Sequence, residues 1–353
     1  MINIGIIGCG WIVEKAYLPQ LIEMEEIKVC SVYDSDYKKA NRICKKYNVP
    51  NIFDNPGDFF SSPIDAVIIA TPNNTHSYYT NLALSSGKHV LCEKPIAFSK
   101  EAIETSVSIA KACNKIFLPA FVNRFRKDII KFGKLAHLCG NVKEIEVSWI
   151  RKSGIPRPST WITNREKAGG GVLIDIGTHV IDIGLMFVLD KSIKSASLLH
   201  GNVDEVQKKR AQWNVNDEGQ KLLFDVETWA RGEIVFSDDS ILKIHVNWSA
   251  DVSEDTTKIK VIGTNGTISI NTLFGFSNNF TRDNIEILYY TKNEKREAYT
   301  FPMDNDFAMK AFRDLIKYFI ALINGKNTNF LQTSDAIYTV DVIEKLYISR
   351  KGE

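Results

Sequence analysis

The stretch that decides the fold is Ile4-Gly5-Ile6-Ile7-Gly8-Cys9-Gly10-Trp11-Ile12-Val13. Its apolar start is typical of a buried strand, and the glycines that follow predict a tight turn that opens a helix. In a dinucleotide-binding loop, the first glycine permits the turn and the second lets backbone N–H groups approach a pyrophosphate. Val13 stands where a third glycine or alanine is expected, so a plain strand–helix turn is the alternative. The predicted cofactor contacts in this loop are Gly8, Gly10, Trp11 and Ile12.

Asp34 strengthens the dinucleotide interpretation. It follows the apolar strand predicted over 27–33, where a carboxylate accepts hydrogen bonds from the adenosine ribose hydroxyls. A 2′-phosphate there would meet a like charge, and the next residue is Ser35 rather than arginine. NAD is therefore favoured, while basic residues between 38 and 42 leave NADP open as the cofactor. The alternative is that Asp34 caps the next helix or lies in a solvated turn.

Short apolar runs alternate with amphipathic stretches through the first third of the chain. The apolar runs at 66–70, 89–92 and 116–120 predict further buried strands, because strands covered on both faces lack polar alternation. Helices are predicted over 12–24, 36–47, 75–86 and 100–114. This alternation is characteristic of a doubly wound parallel sheet with helices on both faces.

The pattern changes after about residue 123. Helices are predicted at 128–138, 306–324 and 333–348. Between them, apolar and polar residues alternate at 142–151, 222–230, 232–237, 241–249, 257–262, 266–271 and 284–290. Such alternation predicts antiparallel strands with one buried face.

The predicted fold class is therefore α/β, with an N-terminal Rossmann doubly wound parallel sheet and a C-terminal α+β domain with a large, mostly antiparallel sheet. The predicted domains are 1–122, which binds NAD(P), and 123–353, which binds substrate and mediates oligomerisation. The last helix, about 333–348, is free to pack back on the first domain. Because few helices are predicted between 200 and 300, one sheet face needs another cover, which predicts a homodimer or homotetramer through the C-terminal sheet.

Composition excludes several classes of protein. The 353 residues carry a net charge of +2 with 44% hydrophobic residues, which is ordinary for a globular protein and excludes a disordered chain. The small net charge disfavours nucleic-acid binding, which needs a concentrated basic face. No apolar run approaches the roughly 18–20 residues that cross a membrane, and no secretory signal is evident, so a cytoplasmic protein is predicted. The six cysteines show no Cys-x-x-Cys spacing, which predicts buried thiols and no metal site.

Two further motifs carry a family resemblance. The first combines Thr71-Pro72-Asn73-Asn74-Thr75-His76 with Glu93-Lys94-Pro95 at the end of a predicted strand. The second is Gly169-Gly170-Gly171-Val172-Leu173-Ile174-Asp175-Ile176-Gly177-Thr178-His179. Together they resemble the Gfo/Idh/MocA family, which groups glucose–fructose oxidoreductase, inositol dehydrogenase and related sugar dehydrogenases. The resemblance covers most of residues 1–190 and, more loosely, the sheet domain beyond.

The charged residues of these motifs make chemical sense by themselves. Asp175 and His179 are four residues apart, so a helix would place both on one face, and Asp182 could also reach the histidine. A histidine is a suitable proton acceptor near neutral pH. Lys94 lies at a carboxyl end of the predicted parallel sheet, where doubly wound folds bind ligands. Its ammonium group could hydrogen-bond a substrate oxygen and stabilise a developing alkoxide.

The resemblance implies a role for each of these residues. Lys94 and His179 would form the acid/base pair, Asp175 would orient both substrate and histidine, and the peptide before Pro95 would be cis. The other predicted cofactor contacts are Thr71, Pro72, Asn73, His76, Glu93, Lys94, Asn123 and Trp161. The predicted substrate contacts are Lys94, Arg124, Asp175 and His179.

Arg124 and the tryptophans each have a second interpretation. Arg124 lies in residues 123–125, which resemble the segment at which the chain leaves the Rossmann domain in the family. It either contacts an anionic or hydroxyl-rich substrate or pairs with an acid. Trp161 either lies near the nicotinamide, as the resemblance implies, or covers the core. The remaining tryptophans in or near strand-like segments, which are predicted to pack in the sheet, are Trp149, Trp213, Trp229 and Trp248.

The predicted function is hydride transfer between a nicotinamide cofactor and a secondary ring hydroxyl of a sugar, sugar derivative or cyclitol. A second enzyme hypothesis is a biosynthetic dehydrogenase or ketoreductase acting on a sugar phosphate or nucleotide-linked sugar. It is suggested by a set of basic residues that could bind an anion: Arg124, Arg126, Arg151, Lys152, Arg157 and Arg165. A hypothesis of another class is a non-catalytic NAD-binding regulator, because fold does not determine function.

Overall fold

The computed structural model describes residues 1–188, 191–202, 223–277, 279–281, 283–293, 295–304, 306–326 and 330–349. The chain divides into two compact units. The first unit comprises Met1–Phe125 and Met309–Ile337, and the second comprises Arg126–Ala308 and Tyr338–Glu353.

The first unit is built on a six-stranded parallel sheet. Its strands are β1 (Ile2–Ile7), β2 (Ile27–Tyr33), β3 (Asn51–Phe53), β4 (Ala66–Ile69), β5 (His89–Cys92) and β6 (Phe117–Pro119). Its helices are α1 (Leu18–Leu21, continuing a π-helical turn over Val13–Tyr17), α2 (Tyr37–Tyr47), α3 (Pro56–Ser61), α4 (His76–Ser85) and α5 (Lys100–Ala112). The strand order β3-β2-β1-β4-β5-β6 is that of a doubly wound dinucleotide-binding sheet.

The local sequence explains these elements. All four residues of β4 are buried, as expected of a central strand covered on both faces. Asp36 caps α2, because its carboxylate accepts a hydrogen bond from the Lys38 backbone N–H at 3.1 Å. The predicted Rossmann sheet is thus confirmed. The sequence did not indicate β3 or α3, which are only three and six residues long.

The second unit is built on an eight-stranded sheet with the order β14-β13-β12-β11-β7-β10-β9-β8. Its strands are β7 (Val142–Ile150), β8 (Ile193–Gly201), β9 (Trp229–Phe236), β10 (Ile241–Asn247), β11 (Thr256–Gly263), β12 (Gly266–Thr272), β13 (Asn284–Thr291) and β14 (Arg296–Pro302). Its helices are α6 (Lys127–Ala136), α7 (Arg165–Ala168) and α8 (Thr178–Leu185, preceded by a π-helical turn over Leu173–Gly177). Of the described strand pairs, β7 and β10 run parallel and the others antiparallel.

Two long helices complete the chain, α9 (Phe307–Ile323) and α10 (Thr333–Ser349). Most of α9 belongs to the first unit, and most of α10 belongs to the second. The sequence predicted both helices to within a residue of each end.

One face of the large sheet forms the core of the second unit. Along β10, Leu242, Ile244 and Val246 are buried, whereas Lys243 and His245 point to the other face. Helix α8 packs on β7 and β10 over the buried side. This alternation confirms the predicted large, mostly antiparallel sheet.

The prediction of strands was wrong in one region and incomplete in two others. The runs at 222–230 and 232–237 form one strand, β9, while 223–228 is irregular and residue 222 lies outside the described residues. Strands β8 and β14 were not predicted. They are the two edge strands, and their residues are mostly exposed or half-buried, so they lack the hydrophobic alternation of the inner strands.

Within the described ranges, one helical stretch, Arg165–Leu185, is long and apolar enough to cross a membrane. The stretch is not an uninterrupted apolar run, because it carries charged residues, Asp175 and Asp182 among them. Of its most apolar window, 83% is buried inside the protein, which is the arrangement of a core helix. The six cysteines are free thiols, and four of them are buried, as predicted.

Candidate active site

The glycine loop after β1 has the geometry of a ligand-binding turn. Gly8 has a φ of +88°, and a Cβ there would lie 2.4 Å from the Ala70 carbonyl oxygen, so the protein's own packing requires glycine. A Cβ on Gly10 would meet nothing within 4 Å. Glycine at position 10 is therefore not required by packing within the described residues, and the open space fits the approach of a pyrophosphate to the backbone.

Asp34 connects the glycine loop to helix α2. Its Oδ2 accepts a hydrogen bond from the Cys9 N–H at 2.7 Å, and its Oδ1 accepts one from the Asp36 N–H at 2.8 Å. The helix cap is Asp36, not Asp34. Each carboxylate oxygen has a second lone pair, so Asp34 can brace the loop and still accept a ribose hydroxyl.

The helix after the loop accommodates Val13 in the place of a third glycine. Val13 is fully buried, and the helix widens into a π-helical turn at this residue. Trp11, by contrast, is 62% exposed beside the loop. Tyr17, at the end of the turn, is buried and donates its hydroxyl proton to Glu93 Oε1 at 2.8 Å. No sequence motif predicts this contact.

Lys94 follows strand β5 in a loop held by backbone contacts. The Glu93 N–H donates to the Ile69 carbonyl at 2.9 Å, and Glu93 Oε2 accepts the Lys94 N–H at 3.1 Å. Burial raises the pKa of Glu93, and the charge of Lys94 opposes that shift. The Lys94–Pro95 peptide is cis, as the resemblance implies.

His76 braces the same loop from inside the domain. It is 1% exposed, its Nδ1 lies 2.7 Å from the Pro95 carbonyl oxygen, and its Nε2 lies 2.9 Å from that of Thr71. Both partners are acceptors, so the neutral ring can donate to only one of them. Burial lowers the pKa of His76, and the charge of Lys94 lowers it further. Both ring nitrogens of His76 thus contact backbone carbonyl oxygens, whereas a contact with the cofactor was predicted.

Each of the three glycines of the second motif is required for a different structural reason. Gly169 ends α7 with a φ of +84°. A Cβ on Gly170 would lie 2.1 Å from the Tyr347 hydroxyl oxygen, and one on Gly171 would lie 2.0 Å from the Glu227 carbonyl oxygen. The run therefore lets the chain pass close to the irregular segment before β9 and to helix α10, both of which lie far away in sequence.

A buried glutamate holds the start of the helix that follows. Glu227 is 3% exposed, and its Oε1 accepts hydrogen bonds from the N–H groups of Gly171 at 2.9 Å and Leu173 at 3.2 Å. The same oxygen accepts the Tyr347 hydroxyl proton at 2.8 Å. A carboxylate at a helix N-terminus satisfies free N–H groups and complements the helix dipole.

Asp175 and His179 lie on consecutive turns of that helix, Asp175 in the π-helical turn and His179 in α8. The buried indole N–H of Trp248 donates to Asp175 Oδ2 at 3.0 Å. The ring of Trp149 lies 5.9 Å from that of His179. Asp182, one turn further on, is buried.

The prediction that Trp248 only packs in the sheet was therefore incomplete. Trp149 and Trp229 lie on strands as predicted, and Trp213 lies outside the described residues. Functional positions that the sequence missed are Tyr17, Glu227, Trp248 and Tyr347. No spacing rule links these residues to their partners.

In the structure, Arg124 has an acidic partner. The residue is 3% exposed, and its guanidinium group pairs with Asp335 at 2.9 Å, which is the acid-pairing alternative. Arg126 is buried as well and pairs with Asp128 at 2.9 Å. Asn123 is also buried, while Trp161 is 38% exposed.

Comparison with known proteins identifies several relatives. The chain is 29% identical to a protein of Amycolatopsis mediterranei (strain S699) assigned as the UDP-kanosamine synthase oxidoreductase subunit, over 79% of this chain and 77% of that protein. It is 26% identical to D-glucoside 3-dehydrogenase of Escherichia coli (strain K12), over 72% of each chain. It is 30% identical to glucose-6-phosphate 3-dehydrogenase of Bacillus subtilis (strain 168), over 52% of this chain and 53% of the relative.

Solved structures share the fold. GenD2 from gentamicin A biosynthesis, solved with NAD, matches with a TM-score of 0.78 at 17% identity, over 100% of this chain and 95% of its own. KijD10 from Actinomadura kijaniata, a 3-ketoreductase solved with NADP, matches with a TM-score of 0.75 at 17% identity, over 99% and 97%.

Family profiles cover most of the chain. Residues 2–121 match the profile of an oxidoreductase family with an NAD-binding Rossmann fold, and residues 135–269 match the Gfo/Idh/MocA C-terminal domain. Both motifs that carried the resemblance fall inside these matches. The chain therefore belongs to the Gfo/Idh/MocA family of NAD(P)-dependent oxidoreductases.

Proposed function

We propose that the protein oxidises a secondary hydroxyl at C3 of a hexose ring, or reduces the corresponding ketone. The observation that carries the proposal is the helix over 173–185, which bears Asp175 and His179 on consecutive turns. The buried indole N–H of Trp248 donates a hydrogen bond to Asp175 and fixes its carboxylate. Lys94, in its braced loop at the carboxyl end of β5, completes the proposed catalytic set.

Each residue of this set has a chemical task. In the oxidation direction, His179 accepts the hydroxyl proton, a task to which an imidazole is suited. The ammonium of Lys94 donates a hydrogen bond to the same oxygen and stabilises the developing alkoxide. Asp175 accepts hydrogen bonds and orients the substrate and His179. The nicotinamide, when bound, takes up the hydride from the ring carbon.

We further propose that residues 1–122 act as the cofactor-binding domain and residues 123–353 as the substrate-binding domain. The backbone at Gly8, Gly10, Trp11 and Ile12 would hold the pyrophosphate, and Asp34 would hold the adenosine ribose. The remaining proposed cofactor contacts are Thr71, Pro72, Asn73, Glu93, Lys94, Asn123 and Trp161. We propose that His76 positions the loop of Lys94 instead of touching the cofactor.

The names of the relatives support oxidation at C3, because two of them are 3-dehydrogenases of glucose derivatives. Three of the six basic residues that were predicted to attract an anion are engaged by carboxylates, which favours an uncharged glycoside over a sugar phosphate or nucleotide sugar. Arg124 and Arg126, which were predicted to attract an anion, are both buried in ion pairs. Arg151 also lies near a carboxylate, that of Asp255, at 4.0 Å.

Isotope transfer tests the proposal. The protein is incubated with NAD and methyl glucoside deuterated at either C2 or C3, and the reduced cofactor is analysed by mass spectrometry. Label arriving only from the C3 substrate supports the proposal, and label from C2 contradicts it. Parallel reactions with glucose 6-phosphate, UDP-glucose and scyllo-inositol compare the alternative substrate classes. NAD binding without turnover on any of them would favour the non-catalytic regulator.

We also propose a cytoplasmic homodimer or homotetramer that associates through the outer face of the large sheet. This face carries charges of both signs, paired within one chain as Lys243 with Glu144 at 2.7 Å and Lys260 with Glu146 at 3.1 Å. A surface with interspersed charges can be complementary to a second copy of itself. Light scattering should show a dimer or tetramer, and a monomer at micromolar concentration would contradict the proposal.

A further inference from the structure

The carboxylate of Asp175 is fixed by one residue of the large sheet. Trp248 comes directly after β10, and its backbone N–H donates to the Thr228 carbonyl at 3.0 Å. Its side chain is fully buried, and its indole N–H donates to Asp175 Oδ2 at 3.0 Å. The donor is therefore held rigidly by both its backbone and its packing.

A second tryptophan shows that packing alone does not explain this contact. Trp149, on the neighbouring strand β7, is also buried and lies against His179. Its indole N–H has no hydrogen-bond partner among the described residues. Filling the space beneath the helix thus does not require an N–H donor, whereas Trp248 directs one at a carboxylate oxygen.

We propose that Trp248 is a positioning residue for the reaction, which it serves by fixing the carboxylate of Asp175; this rests on the role given to Asp175 in the proposed function. A hydrogen bond to an ionised group is stronger than one between neutral groups. Fixing Oδ2 removes the rotation of the carboxylate, so Oδ1 is presented in a single direction. Preorganised orientation of this kind lowers the barrier of the chemical step rather than strengthening cofactor binding.

The test replaces Trp248 with β-(3-benzothienyl)alanine, which keeps the bicyclic shape but has sulfur in place of the N–H. We expect kcat to fall about tenfold, as the loss of an oriented hydrogen bond worth about 1.4 kcal/mol implies, with the Tm and the Kd for NAD unchanged. A purely structural role predicts wild-type kcat for this isostere, and that result would overturn the proposal. Trp248→Phe should lower both kcat and Tm. Trp229→Phe, the same indole-to-phenyl change at a half-buried tryptophan on the neighbouring strand β9, should keep wild-type kcat.

A double-mutant cycle with Asp175→Ala separates this inference from the proposed function. If Trp248 acts through Asp175, the isostere should have little further effect on kcat in the Asp175→Ala background. An equal tenfold loss in both backgrounds would overturn the inference and leave the proposed function intact. Wild-type turnover by Asp175→Ala itself would instead overturn the role of Asp175 and, with it, that of Trp248.

Discussion

Two regions carry the proposed chemistry, and they are held in different ways. The lysine loop, residues 93–96, is fixed largely through backbone groups: the Glu93 N–H bonds the Ile69 carbonyl, and His76 contacts the Pro95 carbonyl. The histidine helix, residues 172–185, is fixed by buried side chains. Glu227 bonds its first N–H groups, and Trp248 bonds Asp175.

The difference follows from the surroundings of each region. Parallel neighbouring strands supply backbone donors and acceptors at fixed spacing, so the lysine loop needs few special side chains. The histidine helix starts beside the irregular segment before β9, where the Glu227 backbone carbonyl accepts the Val172 N–H at 3.0 Å and the Glu227 carboxylate accepts those of Gly171 and Leu173. Glu227 is in turn held by Tyr347 at 2.8 Å. Substitutions should therefore affect chemistry, stability and cofactor binding separately in the two regions.

The largest effect is expected from His179→Asn. If His179 accepts the hydroxyl proton, kcat should fall about 100- to 10,000-fold, which is the usual contribution of general acid–base catalysis. The wild-type oxidation rate should rise with pH as a group titrates near neutral pH. This rising limb of the pH–rate profile should be absent in the variant. Initial rates between pH 5.5 and 9 measure both. A limb that survives the substitution would transfer the role of base to Lys94.

Lys94→Ala tests the lysine loop in the same way. Turnover should fall by at least about 100-fold, because the ammonium group stabilises charge that develops on the reacting oxygen. The Kd for NAD, measured by titration calorimetry, should rise by less than about tenfold, or about 1.4 kcal/mol, because Lys94 is only one of many proposed cofactor contacts. Lys115→Ala, another lysine of the same unit, is the control. Wild-type turnover by Lys94→Ala would remove this residue from the mechanism.

A pair of glycine substitutions contrasts ligand binding with packing. Gly171→Ala places a methyl group against the Glu227 backbone, so the free energy of unfolding should fall by about 3 kcal/mol. The folded fraction should still bind NAD with normal affinity. Urea unfolding and calorimetry measure the two quantities.

Gly10→Ala should show the opposite pattern. Its Cβ meets no protein atom, so stability should be unchanged, while the Kd for NAD should rise about tenfold, or about 1.4 kcal/mol. Loss of stability without loss of affinity at Gly10 would show that the open space above the loop is not the pyrophosphate site.

How far the sequence predicts the molecule depends on the kind of contact. Strand β2 was predicted over 27–33 and is found there, because a mostly apolar run of this length is typical of a buried parallel strand. Edge strand β8 was missed, because an edge strand with few buried residues has no periodic signal. The catalytic candidates were found because they lie in short motifs. Their supports were not, since the bond from Trp248 to Asp175 spans 73 residues and only the folded chain brings them together.

The smallest expected effect concerns His76, the brace of the lysine loop. Burial lowers its pKa in the folded protein, whereas the unfolded chain takes up a proton below about pH 6.5. The unfolded state then binds more protons, so the free energy of unfolding should decrease as the pH falls through this range, by at most about 1.4 kcal/mol per pH unit. Burial also lowers the pKa of His89 and His245, which contribute with the same sign.

Comparing wild type with His76→Gln isolates this one ring, because the other groups are present in both proteins. Burial raises the pKa of Glu93, so its protonation stabilises the folded protein as the pH falls, which is opposite in sign to the effect of His76 and occurs at lower pH. Urea unfolding is therefore measured between pH 7.5 and 5.5, where Glu93 has little influence on the slope. His76→Gln should be less stable at pH 7.5 but lose less stability on acidification, while the same change at the exposed His137 should keep the wild-type slope. An unchanged slope in His76→Gln would contradict the lowered pKa, and a steeper loss of stability on acidification would mean that the folded ring carries a proton on both nitrogens, donating to Thr71 and Pro95 together. The lysine loop would then be held by a buried charge, and the contrast with the histidine helix, which is held by a buried carboxylate, would disappear.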